Sequence, residues 1–355
     1  MTDLNLLKIW ILGHLPSHVE ISEPILLNQI TSDAGSRQYF RVNSKPTLIA
    51  VLSPPSIEDN TAFVRLSKHL RENHLRVPTV YAVDYTAGFL IVEDFGDELL
   101  AAYFVGKSAR KFYAAAEIEL LKIQRIPKNK SIFPMYDRKL LLYEMNLFSD
   151  WFLRKLIKID LSSKENQILN EAFSVIIESA IQQPHVVVHR DFHSRNLMKL
   201  QDNSIGVIDF QDSVIGPLTY DLISLYRDCY IKLPEDWVLK RSLDYYRNAI
   251  NSGLATEVSD EKIISWLDLM GLQRHIKVLG IFSRLHLRDG KHNYLNDLPL
   301  VIRYVMQQLR PYPKLSDFFE WFERRVIPEA SKQDWYKPWD TAGELEKNNH
   351  KERSK

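Results

Sequence analysis

A compact β-rich island inside an otherwise helical half constrains this chain more than any other feature. Residues 186–212, VVVHRDFHSRNLMKLQDNSIGVIDFQD, interrupt long Leu-rich and Ala-rich stretches. Val186 to Val188 close a buried strand, and His189, Arg190 and Asp191 form a loop. Two short strands, Leu197 to Leu200 and Ile205 to Ile208, then flank a QDNS turn suited to a hairpin. Asp209 leaves the second strand beside the loop that bears Asp191 and Asn196.

The flanks of the island differ in texture. Up to about residue 95 the chain reads as short strands around one helix. TLIAVL (47–52) and GFLIVEDF (88–95) are β-rich and bounded by Pro, Gly or Asn, while 58–73 spaces Phe63, Leu66 and Leu70 as a helix does. From Gly96 the patterns at 107–126, 137–157 and 166–181 are helical, and helices resume from about 217 to about 328, with Ser259 opening one of them. The expectation is an α+β fold in two lobes. A small β-rich N-lobe would cover 1–95, a mostly helical C-lobe 96–340, and a disordered tail 341–355, where apolar residues almost vanish.

Composition removes several classes of function. Lys and Arg number 46 against 45 Asp and Glu, and the net charge of +1 argues against a polyanion-binding surface. Cys229 is the only cysteine, which excludes a disulfide framework and a Cys-rich zinc site and fits a reducing, cytoplasmic setting. No two of the 12 glycines stand as Gly-x-Gly, so the dinucleotide fingerprint is missing. No apolar run reaches about 18 residues, and no membrane span is expected. The apolar start LNLLKIWILGHL reads as an amphipathic helix and not as a signal peptide. AAYFVGKS (101–108) fits a permissive phosphate-loop pattern, but Ala, Tyr, Phe and Val stand where such a loop needs glycine.

The island holds the parts that phosphoryl transfer from ATP requires. One carboxylate must orient and deprotonate an acceptor hydroxyl, and hard oxygen ligands must hold Mg²⁺ against the phosphates. Asp191 suits the first task, and Asn196 with Asp209 the second. The plain alternative is a hairpin whose polar ends are merely solvated.

At these residues the chain resembles the aminoglycoside phosphotransferase and choline kinase-like branch of the protein-kinase fold. HRDFHSRN followed by VIDF has the His-x-Asp-x-His-x-x-Asn form of that small-molecule branch, with His193 as the second histidine. Longer stretches narrow the resemblance: DAGSRQYFRV (33–42), PPSIEDN (54–60), YDRKLLLYEMNLFSDWFL (136–153), YDLISLYRDCY (220–230) and MGLQRHIKVLGIFSRLHLRDGKHNYLNDLP (270–299). These resemble the bacterial anomeric sugar kinases, which phosphorylate N-acetylmuramate and N-acetylglucosamine at C1 in peptidoglycan recycling. The resemblance covers roughly residues 25 to 330, and the 270–299 block carries the substrate class. It implies ATP- and Mg²⁺-dependent transfer to a small-molecule amino sugar, with no nucleic acid, membrane or obligate protein partner.

One departure bears on the nucleotide. Kinases of this fold place a strand-three lysine against the phosphates, but here Leu52 follows Ile49, Ala50 and Val51. Arg37 and Arg41, with Lys45 beyond, are the candidate replacements, because DAGS stands where the phosphate-covering loop belongs. Glu93 and Asp94 fall at the hinge whose backbone would bind adenine. Gln211 and Asp212 follow the metal carboxylate and are candidates to line the acceptor site. Arg274, His275, Arg284, His286 and Arg288 recur at helical spacing, a cationic stripe suited to a lactyl carboxylate. Glu144, with Asp150 and Trp151, is a further candidate for sugar contact. Asp221 is expected to anchor the 189–191 loop, and His189 to brace it. A kinase of an aminoglycoside, choline or homoserine remains open here, and so does a nucleotide-binding pseudokinase.

Overall fold

The computed structural model describes residues 3–30, 35–104, 106 and 109–344. Residues 33 and 34 of the DAGS turn, 105, 107 and 108 of AAYFVGKS, and the expected tail from 345 lie outside the described residues. The chain forms two compact units, 1–132 with 195–213, and 133–194 with 214–355. Compactness thus groups 96–132 and 195–213 with the first unit, whereas the sequence pattern had suggested a boundary near 95.

In chain order the elements are α1 (Asp3–His14), β1 (Glu20–Ile21), β2 (Leu27–Ile30), β3 (Gln38–Val42), β4 (Ser44–Lys45), β5 (Leu48–Leu52) and α2 (Asn60–Glu72). They continue with β6 (Val80–Asp84), β7 (Phe89–Glu93), α3 (Ala109–Arg125), α4 (Arg138–Leu147), α5 (Ser163–Ile181) and β8 (His185–Val188). The remainder comprises β9 (Leu197–Lys199), β10 (Ile205–Val207), β11 (Val214–Pro217), α6 (Thr219–Tyr226), α7 (Glu235–Asn251), α8 (Asp260–Asp289), α9 (Leu298–Leu309), α10 (Ser316–Trp321) and α11 (Ile327–Ala330), with short 3-10 and π-helical turns between them.

The first unit is built on an antiparallel sheet of order β2-β3-β5-β7-β6. The LIAVL of β5 is apolar throughout because both sheet faces are covered. Leu48 and Ala50 join Phe40, Val42, Phe89 and Ile91 around Leu7 and Ile11 of α1. Ile49 and Val51 point the other way with Leu90 and Val92, against Phe63 and Val64 of α2. That helix starts where Asp59 accepts the Ala62 N–H at 2.9 Å. The β9–β10 hairpin pairs Leu197 with Val207 and Lys199 with Ile205, and the Val207 N–H bonds the Arg76 carbonyl at 2.8 Å. Gly206 is required there, since a Cβ would come within 2.6 Å of the Phe95 ring.

The second unit is organised around α8, which packs against α4, α5, α6 and α9 and is buried through most of its length. Ser259 caps its start, accepting the Lys262 N–H at 3.3 Å, and Gly290 ends it at φ +68°. A Cβ at Gly280 would stand 2.3 Å from the Leu147 carbonyl carbon, so only glycine lets the two backbones cross this closely. Beyond that crossing α4 does not continue as the single α-helix its pattern suggests: residues Phe148–Leu156 widen into π-helical turns. Val214–Pro217 likewise departs from expectation. It pairs antiparallel with β8, and Pro217 sits opposite His185 at the end of the ladder, where a missing N–H costs little. No described helix is long and apolar enough to cross a membrane.

Candidate active site

Backbone clamps hold the loop after β8 in the second unit. Asp221, buried in the first turn of α6, accepts the N–H groups of His189 at 2.6 Å and Arg190 at 2.9 Å, the anchoring that its resemblance to the structural aspartate of the kinase fold implies. Asp228 accepts the Ser194 N–H at 3.1 Å, and the His193 N–H bonds the Asp191 carbonyl at 3.0 Å. Arg190 adopts φ +76°, a conformation that costs a residue bearing a Cβ about 1–3 kcal/mol and must be held by its surroundings. Its guanidinium pairs with Glu144 of α4 and lies 5.6 Å from the Tyr136 ring centre. Glu144 also accepts from the Tyr136 hydroxyl, from Lys277 Nζ at 3.2 Å and from Gln273 Nε2 at 3.4 Å.

These charges separate two neighbouring carboxyls. Burial by itself would raise the Asp191 pKa, but Lys277, followed by His193, Arg190 and Arg274, outweighs it and holds the group at about 2. Burial pushes Asp221 up to about 7, against the pull of its two backbone N–H bonds. The partly exposed Asp191 is therefore the fully ionised member.

In the first unit, Asn196 and Asp209 converge at the two ends of the hairpin. Asn196 Nδ2 lies 3.3 Å from Asp209 Oδ2, while Gln211 Nε2 donates to Oδ1 at 2.6 Å. Asp209 itself sits at φ +63°, which a short acidic side chain tolerates. A half-turn of the Asn196 amide exchanges its N–H for Oδ1 without changing its shape, and then two hard oxygens face one another. Among the described residues there is no cluster of three or more His, Cys, Asp or Glu. One carboxylate and one amide oxygen, completed by water and phosphate, form a set that Mg²⁺ accepts, so the residues fit the ion.

Phe210, next to Asp209, stacks on Phe63 of α2 at 5.1 Å, and the Arg37 guanidinium lies 4.8 Å from the same Phe63 ring. Arg37 is buried, with Nε 3.1 Å from Ser53 Oγ and Nη2 2.9 Å from Glu58. Burial drives the neighbouring Tyr39 up to about 12, with Arg37 opposing and Asp209 and Glu58 reinforcing it. Arg37 and Asp209 thus share one neighbourhood.

Other sequence candidates are placed differently. Arg41 forks onto Asp94, at 2.7 and 3.1 Å, and onto Asp97, at 2.8 and 2.9 Å. Glu93 is taken by Arg76 and by the Thr79 hydroxyl at 2.8 Å. Burial would raise both of these carboxyls, but their partners hold Glu93 and Asp94 below the usual range. Gln211 is bonded to Asp209, and Asp212 is exposed.

Burial divides the expected stripe on α8: Arg288 is exposed and Arg284 and His286 are half-buried, but Arg274 and His275 are closed in. Glu144 is only 3% exposed, Arg274 4% and His275 0%. Arg274 donates to Cys229 Sγ at 3.2 Å, while His275 lies between Gln308 at 2.9 Å and the Arg227 carbonyl at 3.0 Å, stacked on Tyr304. A neutral ring satisfies both partners once the Gln308 amide is turned to donate. Burial holds His275 down at about 3, so the unfolded chain binds a proton below pH 6.5 that the folded chain refuses. Stability from this residue is present above pH 6.5 and is lost as pH falls towards 3. Urea unfolding at pH 7 and pH 5 should show the wild type losing roughly 2 kcal/mol more than His275→Gln. Equal losses would mean that His275 is not held neutral.

Comparison with known proteins decides the family. The phosphotransferase enzyme family model (APH) matches residues 27–251. The chain belongs to the phosphotransferase enzyme family. Among curated relatives, an N-acetylmuramate/N-acetylglucosamine kinase of Pseudomonas putida is 35% identical over 295 residues, covering 83% of this chain and 86% of the relative. A protein of the same description from Neisseria meningitidis serogroup B is 33% identical, covering 81% and 87%. A choline kinase from Cryptosporidium parvum has the same fold, with a TM-score of 0.62 at 15% identity over 91% of this chain and 100% of that one. An ADP-bound aminoglycoside phosphotransferase, APH(2'')-Ib, gives a TM-score of 0.55 at 17% identity over 84% and 98%.

Within this phosphotransferase, sequence reasoning overlooked three residues next to the candidates. Glu58 pairs with Arg37, Arg190 with Glu144, and Lys277 with Glu144. A lysine inside the apolar helical run IKVLGIF was the available signal for the last.

Proposed function

We propose that this phosphotransferase is an ATP-dependent kinase of N-acetylmuramate or N-acetylglucosamine, working in the cytoplasm in cell-wall recycling and placing the phosphate on the anomeric hydroxyl. The observation that carries the substrate class is the 35% identity over 83% of the chain to a kinase named for those two sugars. The chemistry is supported by the ionised Asp191 on its clamped loop. A carboxylate held at about 2 is a weak base, so it first accepts a hydrogen bond from the acceptor hydroxyl and orients it. As the sugar oxygen bonds to the terminal phosphorus, the hydroxyl becomes acidic and its proton passes to Asp191. The bond from that phosphorus to the bridging oxygen breaks, and ADP leaves. An anomeric hydroxyl is more acidic than an ordinary alcohol, which suits so weak a base.

Asn196 and Asp209 would hold Mg²⁺, which when bound neutralises charge on the phosphates. Gln211, hydrogen-bonded to Asp209, fixes the orientation of that carboxylate. For the phosphate contact we assign Arg37 over Arg41, since Arg41 is matched by two carboxylates whereas Arg37 has one and shares its surroundings with Asp209. Arg37→Met keeps the apolar stem over Phe63 and removes the charge. Its KM for ATP should rise about tenfold, while Arg41→Met should change it less than about threefold. The reverse order would move the phosphate contact to β3. ADP formation measured against N-acetylmuramate, N-acetylglucosamine, choline and kanamycin tests the substrate class. Turnover confined to choline or kanamycin would replace this reading.

A further inference from the structure

We propose that Lys277 is a positioning residue for the transfer: with Glu144 it anchors the loop carrying Asp191 and keeps that residue a bare carboxylate towards the acceptor. The inference rests on the reading of Asp191 as the group that takes the acceptor proton. Lys277 belongs to α8 and is 5% exposed, and a buried ammonium is costly unless paired. Its Nζ stands 3.2 Å from Glu144 Oε1 and 3.0 Å from the Tyr220 hydroxyl, with the Tyr220 ring centre at 5.6 Å. Glu144 is buried as well and takes the Arg190 guanidinium and the Tyr136 hydroxyl. One carboxylate therefore serves two cations, and a surplus positive charge is left against the loop.

Asp191, directly after Arg190, is the anion that answers that surplus. The charged and titratable groups that act on it are Arg190 and His193 from its own loop, Lys277 and Arg274 from α8, and Asp221 from α6. Arg274 is turned to Cys229 Sγ and Asp221 to the loop N–H groups. Lys277 acts on Asp191 more strongly than the other cations do. Through Glu144 the same ammonium also supports Arg190, whose left-handed backbone sets the direction in which the next residue points.

Lys277→Met keeps the stem and removes the charge. With N-acetylglucosamine as acceptor and ADP quantified by chromatography from pH 4.5 to 8, its kcat at pH 7.5 should fall about ten- to a hundredfold, with the KM for ATP within about threefold. The wild-type limb, set by Asp191 at about 2, should lie below this range, whereas that of Lys277→Met should move into it as burial outweighs the remaining cations, and Lys277→Arg should return it below the range and recover most of the rate. A folded methionine variant with an unmoved limb overturns the proposal, whether or not its rate falls. If that variant does not fold, Lys277→Gln, which can still meet Tyr220 and Glu144, is read by the same criterion. A wild type that turns over neither amino sugar overturns the sugar-kinase reading and this proposal with it. An active wild type with unmoved variants overturns this proposal alone.

Discussion

Asp191→Asn should lower kcat by about 10²- to 10⁴-fold while the KM for ATP stays within about threefold. The amide has the shape of the carboxylate and can still contact the acceptor hydroxyl, but it cannot take the proton. The loss therefore falls on the transition state and not on nucleotide binding. A secondary effect follows from the charges around the loop. With Asp191 neutralised, Lys277, Arg190 and Arg274 retain Glu144 and Asp228 as nearby carboxylates, so the melting temperature should drop without loss of fold. Steady-state kinetics at saturating sugar, with a thermal melt of the same preparation, reads both. A variant that keeps more than about a tenth of the wild-type rate removes Asp191 from the chemistry.

Asp209→Asn is the second large effect. Asparagine is chosen over alanine because residue 209 sits at φ +63°, where alanine would add backbone strain unrelated to metal binding. The variant keeps one oxygen and loses the charge, so the Mg²⁺ concentration for half-maximal rate should rise by about tenfold or more, together with a fall in kcat. Titrating Mg²⁺ at fixed ATP separates this from Asp191→Asn, whose Mg²⁺ requirement should match the wild type. An unchanged requirement in Asp209→Asn would put the metal elsewhere.

What the sequence made legible was local. The hairpin between Asn196 and Asp209, the Ser259 cap and the strand at 48–52 are encoded by turn residues, capping chemistry and apolar pattern within a few positions. The anchoring by Asp221 was likewise foreseen from its motif. Tertiary encounters were not legible. Glu144 read as a sugar contact because nothing near it in the chain hints at Lys277 or Arg190 as partners, and His275 read as part of a surface stripe because spacing does not show that α8 is buried all round from Trp266 to Gly280. Helical spacing tells which residues share a face but not whether that face is open. The β-strand at 214–217 was missed because this stretch read as the start of a helix, and only pairing with β8 makes Gly216 and Pro217 part of a ladder.

The central claim concerns where the phosphate goes. A phosphate on the anomeric oxygen locks the ring, so the product is no longer a reducing sugar, and its glycosyl bond breaks in mild acid through an oxocarbenium-like path. A phosphate on the primary hydroxyl does neither. Incubation with ATP, Mg²⁺ and N-acetylglucosamine should therefore consume reducing ends in proportion to the ADP formed, and brief mild acid should restore them with release of inorganic phosphate. ADP accumulating while reducing ends persist would contradict anomeric transfer, however fast the turnover.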